Sequence, residues 1–244
     1  MAADRALLEW VSRGPARLAF RTYGWERPTL TLGRSELHPQ GWDVEALARA
    51  GIEVVRRPTG GNAVLHVEEV TFALAAAIPG PWELTPRSFA NAAAEALAGA
   101  LVACGLTGSR LAGRASVETG AGPGSNQTLC FARSAPGEVL ARGFKVAGLA
   151  SRFARTGALC HASVPLTARS RSIARFRLRA FEDAETLERN ARSVGELIDR
   201  PDGDPGALAE RMGEALAGAI GTRFGGRWSE ASFQEVGIEE SMDG

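Results

Sequence analysis

An α+β fold around one core is what this chain predicts, and three observations predict it. The first third alternates apolar and polar residues between turn residues, as strands do. Two later stretches repeat apolar residues at helical spacing, and no internal repeat or long linker divides the 244 residues. At 45% apolar residues the chain can bury a substantial core without disulfide or metal staples.

Taken in order, the segment after Met1 enters a helical pattern carrying Leu7, Leu8 and Val11, and no apolar run long enough for a signal or membrane segment follows. Leu18–Tyr23 and Thr29–Leu32 alternate as strands, with Gly24, Arg27 and Pro28 as the turn between them. Asp43 is placed to cap a short helix that Gly51 ends. Glu53–Arg56 reads as a strand running into a Gly60-Gly61 turn, and residues 70–74 as another. Thr85-Pro86 is a cap followed by proline at the first helical position, and Phe89, Ala93, Ala96, Leu97 and Ala100 then mark the longest helix. Residues 108–128, rich in Gly, Ser and Thr, form a long loop that delivers the chain to Cys130. Residues 139–150 form a hairpin turning near Arg142-Gly143, and a last helix runs from Asp204-Pro205 to Ile220, stopped by Gly221. One domain over 1–244, with its core in about 1–220, is expected.

Charge excludes some partners. With 28 acidic and 28 basic residues there is no global field to gather nucleic acid or an anionic membrane. Cys104, Cys130 and Cys160 are an odd number without Cys-x-x-Cys spacing, which points to reduced thiols in a cytoplasm. His38, His66 and His161 are scattered, so no metal centre is expected. Arg169, Arg171, Arg175, Arg177 and Arg179 place five cations in eleven residues, most simply a solvated face and otherwise a dock for an acidic surface.

Of the 28 basic residues only Lys145 is lysine, where the rest of the chain writes arginine. An ammonium is compact and point-like, so a lone lysine marks a place where a planar guanidinium does not serve. Arg56-Arg57-Pro58-Thr59-Gly60-Gly61-Asn62-Ala63-Val64-Leu65-His66 is the densest cluster of functional residue types. Paired glycines let backbone approach a ligand and offer amide N–H groups, and the arginines favour an anion or polar acyl head. Cys130 stands fifteen residues before Lys145, whose charge would stabilise its thiolate if the hairpin folds back, although buried and inert is the common fate of a cysteine. Cys160 and His161 are adjacent on a strand and point to opposite faces, so they cannot pair, though either can face a pocket.

These strings resemble the biotin/lipoate protein ligase superfamily in its lipoate ligase A branch. The family's Arg-Arg-x-Thr-Gly-Gly-x-x-Val-x-His signature matches Arg56 to His66, and its Gly-x-Lys-(Val/Ile)-x-Gly-x-Ala signature matches Gly143 to Ala150, including Gly148. A His-Gly-Ser strand is similar to His161-Ala162-Ser163, and Arg-Asn-x-x-x-Val-x-x-Leu to Arg189 through Leu197. The resemblance implies an α+β fold whose mixed sheet, flanked by helices, forms a tunnel for an acyl chain, with the lysine aimed at the acyl carbonyl. It further implies that Arg56, Arg57, Thr59, Gly60, Gly61, Asn62, His66, Gly148, Ala150, His161 and Ser163 bind substrate. Cysteine-dependent octanoyltransferases of this branch place Cys-Phe fifteen residues before the lysine and a glutamate seven before it, which Cys130-Phe131, Glu138 and Lys145 reproduce.

The activity so implied moves an octanoyl group from acyl carrier protein through Cys130 to the lysine of a lipoyl domain, of a 2-oxoacid dehydrogenase or the glycine cleavage H protein, without cofactor. Lys145 would stabilise the oxyanion. The alternative is an ATP- and Mg²⁺-dependent lipoate ligase that needs no cysteine there. A non-catalytic carrier-binding protein is the third reading, and an amidotransferase between lipoyl domains is a cousin of the first. Leu149-Ala150-Ser151 and Cys160-His161-Ala162 depart from the family's Ser-Ala-Gln and its Gln-His-Gly or His-His-Gly, and Ala135, Pro136 and Gly137 replace aromatics after the nucleophile. These bear on acyl preference more than reaction type. The family's strand ahead of the first helix has no counterpart after Met1, which leaves the N-terminal boundary open.

Overall fold

A computed structural model describes residues 2–14, 17–34, 36, 41–113, 129–132, 134, 137–178, 181–198 and 204–225. Within them run α1 (Ala2–Arg13), β1 (Leu18–Tyr23), β2 (Thr29–Leu32), α2 (Val44–Arg49), β3 (Glu53–Arg56), β4 (Val64–His66), β5 (Glu69–Ala77), α3 (Pro86–Ala103), β6 (Arg110–Leu111), β7 (Val139–Ala141), β8 (Phe144–Phe153), β9 (Gly157–Pro165), α4 (Phe181–Asn190), α5 (Val194–Leu197) and α6 (Pro205–Phe224). Two 3₁₀ segments, Cys130–Ala132 and Ala168–Phe176, complete them. Most of the loop expected over 108–128 lies outside the described residues, as do His38, Ala135, Pro136, Arg179 and residues 201–203.

The strands form two sheets. Six pair antiparallel in the order β1-β5-β9-β8-β7-β6, and three in the order β3-β2-β4, where β2 runs parallel to β3 and antiparallel to β4. The mixed pairing that the resemblance implied thus belongs to the smaller sheet.

β5 and β9 are buried along their whole length because both faces are covered, which is why they read as apolar runs and not as alternation. On one face Phe72, Leu74, Cys160, Ala162 and Val164 pack into a core completed by Phe89, Leu97 and Leu101 of α3 and Met212, Leu216 and Ile220 of α6. On the other, Ala73, Ala75 and Leu159 meet Leu7 and Val11 of α1. Further along that second face stand His161, still in reach of Asp4 of α1, and Ser163, and there the smaller sheet comes opposite. Its Leu30, Leu32, Val64 and Leu65 share a third cluster with Leu129, Phe131, Ile173 and Leu187. The space between the sheets is the site.

The helix signals hold. Asp43 caps α2 by accepting from the Ala46 amide at 2.8 Å, and Thr85 forms a capping box with Ser88. α6 is the exception, running through Gly221 to Phe224 before Gly225, at φ 71°, closes it in the left-handed conformation. Ile220 and Phe224 are four apart and both buried, so core packing outweighs the weak helix propensity of Gly221. The β7–β8 hairpin turns where expected, with Arg142 and Gly143 at φ 50° and 87°, both central residues left-handed as a two-residue hairpin requires. Among the described residues no helix is long and apolar enough to cross a membrane.

Candidate active site

The glycine loop is built by Arg57, and not in the expected way. Its guanidinium is 5% exposed and turned inward. Nη1 donates to the Thr31 carbonyl and hydroxyl at 3.1 Å each, Nη2 to the Gly60 and Asn62 carbonyls at 2.8 and 2.7 Å, and Nε to Gly60 at 3.1 Å. Arg57 therefore clasps the loop and spends its donors on carbonyls; burial pushes its pKa below the usual guanidinium value. Gly61, at φ 89°, carries a carbonyl so close to Gly33 that a Cβ there would stand 1.9 Å from it. Only glycine at 33 admits the loop.

Arg56 ends β3 with its side chain exposed. Thr59 is fully buried, and its hydroxyl lies 3.2 Å from His161 Nδ1. Thr59, Gly60 and Asn62 thus support the loop's shape, while Gly61 faces the space between the sheets.

Cys130 opens the short 3₁₀ turn and its thiol rests over Gly148 of β8. A Cβ at Gly148 would stand 3.2 Å from the Cys130 sulfur and 3.4 Å from the Phe131 ring, so the missing side chain makes room for the thiol. Lys145, 1% exposed, comes from the same strand: its Nζ donates to the Cys130 carbonyl at 2.5 Å and to Glu138 Oε1 at 2.7 Å, with the Phe131 ring centroid 5.3 Å away. Burial alone would lower its pKa, but the charges of Cys130 and Glu138 outweigh it and hold Lys145 above the usual lysine value. The lysine is a fixed ammonium. The fold-back that the fifteen-residue spacing required is thus present, with the lysine bonded to the carbonyl of Cys130. Asn190, at the end of α4, donates to the Ala132 carbonyl at 2.7 Å and ties down the other end of the turn.

Behind the thiol lies a buried polar chain. His66 Nδ1 donates to Glu69 Oε1 at 2.7 Å, and its Nε2 lies 2.7 Å from the Thr31 hydroxyl. Glu69 also accepts from Thr71 and, at 2.5 Å, from Ser163. Trp25 stacks on His66 at 4.2 Å and donates to Thr71 at 2.8 Å. His161 reaches back to α1, where its Nε2 is 3.2 Å from Asp4, which also accepts from Tyr23 at 2.9 Å. Burial raises the Asp4 pKa, yet the bonds and charges of His161 and Arg21 prevail and hold it below the usual carboxylate range. Sequence reasoning missed Asp4, Thr31, Gly33, Glu69 and Thr71. Of these only Glu69, a carboxylate entering an apolar strand three residues after the motif histidine, left a readable signal.

The residues line a partly open cavity of about 420 Å³, its solvent-facing mouth included, with Arg57, Gly61, His66, Cys130, Gly148, Ala150, His161 and Ser163 among its walls. A thiol beside a buried cation at the wall of a mostly apolar pocket suits covalent handling of a small acyl group. Cys160, by contrast, is in the core, where burial pushes its thiol up to about 11, and burial likewise raises Cys104. The arginine-rich segment is largely committed: Arg171 is held by Glu188 and Glu196, Arg169 by Glu68, and Arg177 lies over Trp42. Among the described residues no three His, Cys, Asp or Glu groups gather as a metal set.

The chain is similar to known proteins in fold and in sequence. The chain superposes on a putative lipoate protein ligase of T. acidophilum with bound lipoic acid, with TM-score 0.67 and 19% identity over 96% of this chain and 86% of that one. A lipoate-protein ligase A bound with ATP gives 0.68 at 18% identity, again over 96% and 86%. At that identity the likeness is one of fold. In sequence, the octanoyltransferase LipM of Kyrpidia tusciae is 32% identical over 238 residues, 93% of this chain and 83% of the relative. That of Anoxybacillus flavithermus is 46% identical over 74 residues, a match spanning 27% of the relative's length. The model of the lipoyl protein ligase A/B catalytic domain matches residues 1–198, which takes in the glycine loop, Cys130, Lys145 and the α4 end that ties the cysteine turn, and to that family the chain belongs.

Proposed function

We propose that the chain is an octanoyltransferase that loads Cys130 from octanoyl-acyl carrier protein and passes the group to the lysine of a lipoyl domain, of a 2-oxoacid dehydrogenase or of the glycine cleavage H protein. The observation that carries this reading is the Cys130 thiol, set over Gly148 at the wall of the 420 Å³ cavity with the Lys145 ammonium bonded to its own carbonyl. The relatives named octanoyltransferase support it.

In the first step the Cys130 thiolate adds to the donor thioester carbonyl, and collapse expels the carrier thiolate, which takes up the proton that Cys130 gave up. The product thioester has about the energy of the reactant. The lysine amine of the lipoyl domain then attacks, forming C–N, breaking C–S and returning a proton to Cys130. Making an amide from a thioester is downhill, so this route uses neither ATP nor Mg²⁺. The protein positions the groups and stabilises the oxyanion, a role for the buried ammonium of Lys145. A reduced, cytoplasmic setting suits a free catalytic thiol.

Intact-protein mass spectrometry after mixing with octanoyl-acyl carrier protein in the absence of ATP tests the reading. An octanoyl adduct on the wild type, absent from Cys130→Ala and discharged by added lipoyl domain, is the expected result. No adduct, but modification of the lipoyl domain once ATP, Mg²⁺ and free octanoate are supplied, would replace it with a ligase.

A further inference from the structure

A second cavity, of about 360 Å³, adjoins the first and has only Val64 and Cys130 in common with it. Beside β4 and the cysteine turn, which line both, its walls come from the 3₁₀ segment Ala168–Phe176 and the end of α4. Leu65, Leu129, Ile173, Leu187 and Ala191 make them mostly apolar. Two arginines also line it, but neither is placed to clamp an anion. Arg171 is held by Glu196 at 2.6 and 2.8 Å and by Glu188 at 2.9 Å, and Arg192 donates to the Glu188 and Ala191 carbonyls at 2.5 and 2.7 Å. The formal charges of Arg171, Arg192, Glu188 and Glu196 cancel.

This second cavity is also wired to the reactive pair. Ala191 bridges to Lys145, the Arg192 amide donates to the Lys145 carbonyl at 3.1 Å, and Asn190 holds the cysteine turn. If an acyl chain fills the first cavity from a thioester on Cys130, its carbonyl is next to the boundary that both cavities share. A nucleophile must reach that carbonyl by a path the chain does not fill.

Resting on the octanoyltransferase reading, we propose that the second cavity is the port for the acceptor: it takes the aliphatic arm of the lipoyl-domain lysine and delivers its amine to the Cys130 thioester. Four methylenes match apolar walls, and paired arginines leave no seat for a phosphate. The amine nitrogen bonds the carbonyl carbon as the C–S bond breaks, the sulfur keeps that electron pair, and one amine proton passes to it, leaving a thiol and a secondary amide.

Narrowing the port separates the two half-reactions. Ile173→Trp and, from β4's side, Ala63→Leu would be loaded from an octanoyl thioester of a small thiol, which does not depend on a carrier's arm. Discharge of the acyl-enzyme would then be followed with a lipoyl domain and, separately, with hydroxylamine, which is small enough to pass a narrowed port. Loading and hydroxylamine discharge within about twofold of wild type, with lipoyl-domain discharge down tenfold or more in either variant, is the expected result. Unchanged lipoyl-domain discharge in both variants, or a fall that hydroxylamine shares equally, overturns the port. Absence of any adduct on the wild type would instead remove the reading beneath it.

Discussion

Lys145 shows how a residue type can be chosen by its surroundings. It is 1% exposed and bonded to Glu138 and to the Cys130 carbonyl, a buried setting that a compact ammonium suits. Arginine keeps the charge but is planar and longer, so Lys145→Arg retains the fold and shifts the cysteine turn. Moving a positioned donor out of place forfeits what removing it would, about 10²- to 10³-fold in rate. We expect octanoyl transfer by Lys145→Arg to fall by at least about 100-fold in a steady-state assay with the circular dichroism spectrum unchanged; a loss under tenfold would show that charge alone suffices. What the sequence made legible at this scale were the chemistry-bearing residues at characteristic spacing: Cys130, Lys145, His66 and His161. Their supports were hidden, because Thr31 meets His66 across 35 residues and Ser163 meets Glu69 across 94, and only sheet register brings them together. Arg57, expected to favour an anion or acyl head, instead donates to carbonyls of its own loop, since a motif identifies a residue and not the direction of its side chain.

Elements with strong local signals were readable, and elements that exist because of their neighbours were not. Capped, apolar-periodic α3 and the left-handed hairpin turn announce themselves in sequence. β4 and β6 have three and two residues, too few to show a period, and α5 is one turn closed by a Ser193–Glu196 box. The joint between α5 and the 3₁₀ segment Ala168–Phe176 is an ion pair. Hydrogen bonds from Arg171, then from Ser193, overcome partial burial and hold Glu196 down at about 2, below its ordinary 4.5. A depressed carboxylate stabilises the fold above its unfolded pKa, and that contribution is lost as pH falls through the folded value. Glu196→Gln should therefore cost about 1 kcal/mol near neutral pH, as partly exposed ion pairs do. In urea titrations the gap to wild type should close between pH 4.5 and about 2. A gap that persists below that window would assign the loss to the capping box and not to charge.

At the scale of the molecule, the site is a seam. One hydrophobic cluster packs one face of the large sheet against α3 and α6, another belongs to the small sheet with the cysteine turn and the 3₁₀ segment, and the cavity at Cys130 lies between that second cluster and the large sheet's other face, which carries His161 and Ser163. Nothing local in the sequence encodes a seam: each strand reads as ordinary, and the gap between the sheets follows from small and polar residues, Gly148, Ala150 and Ser163, occupying positions that a packed core would fill with larger side chains. An unfilled seam costs stability, and a ligand that fills it returns stability to both sheets at once. Each buried methylene contributes about 0.8 kcal/mol, so even half-burial of an octanoyl tail should stabilise the acyl-enzyme by about 2–3 kcal/mol. Differential scanning calorimetry of wild type before and after quantitative acylation of Cys130 measures this. We expect one transition in each case, moved up by several degrees after acylation. An unmoved midpoint would place the acyl chain outside the seam, and two transitions, only one of them shifted, would mean that the sheets unfold separately and that the chain is not the single domain its sequence led us to expect.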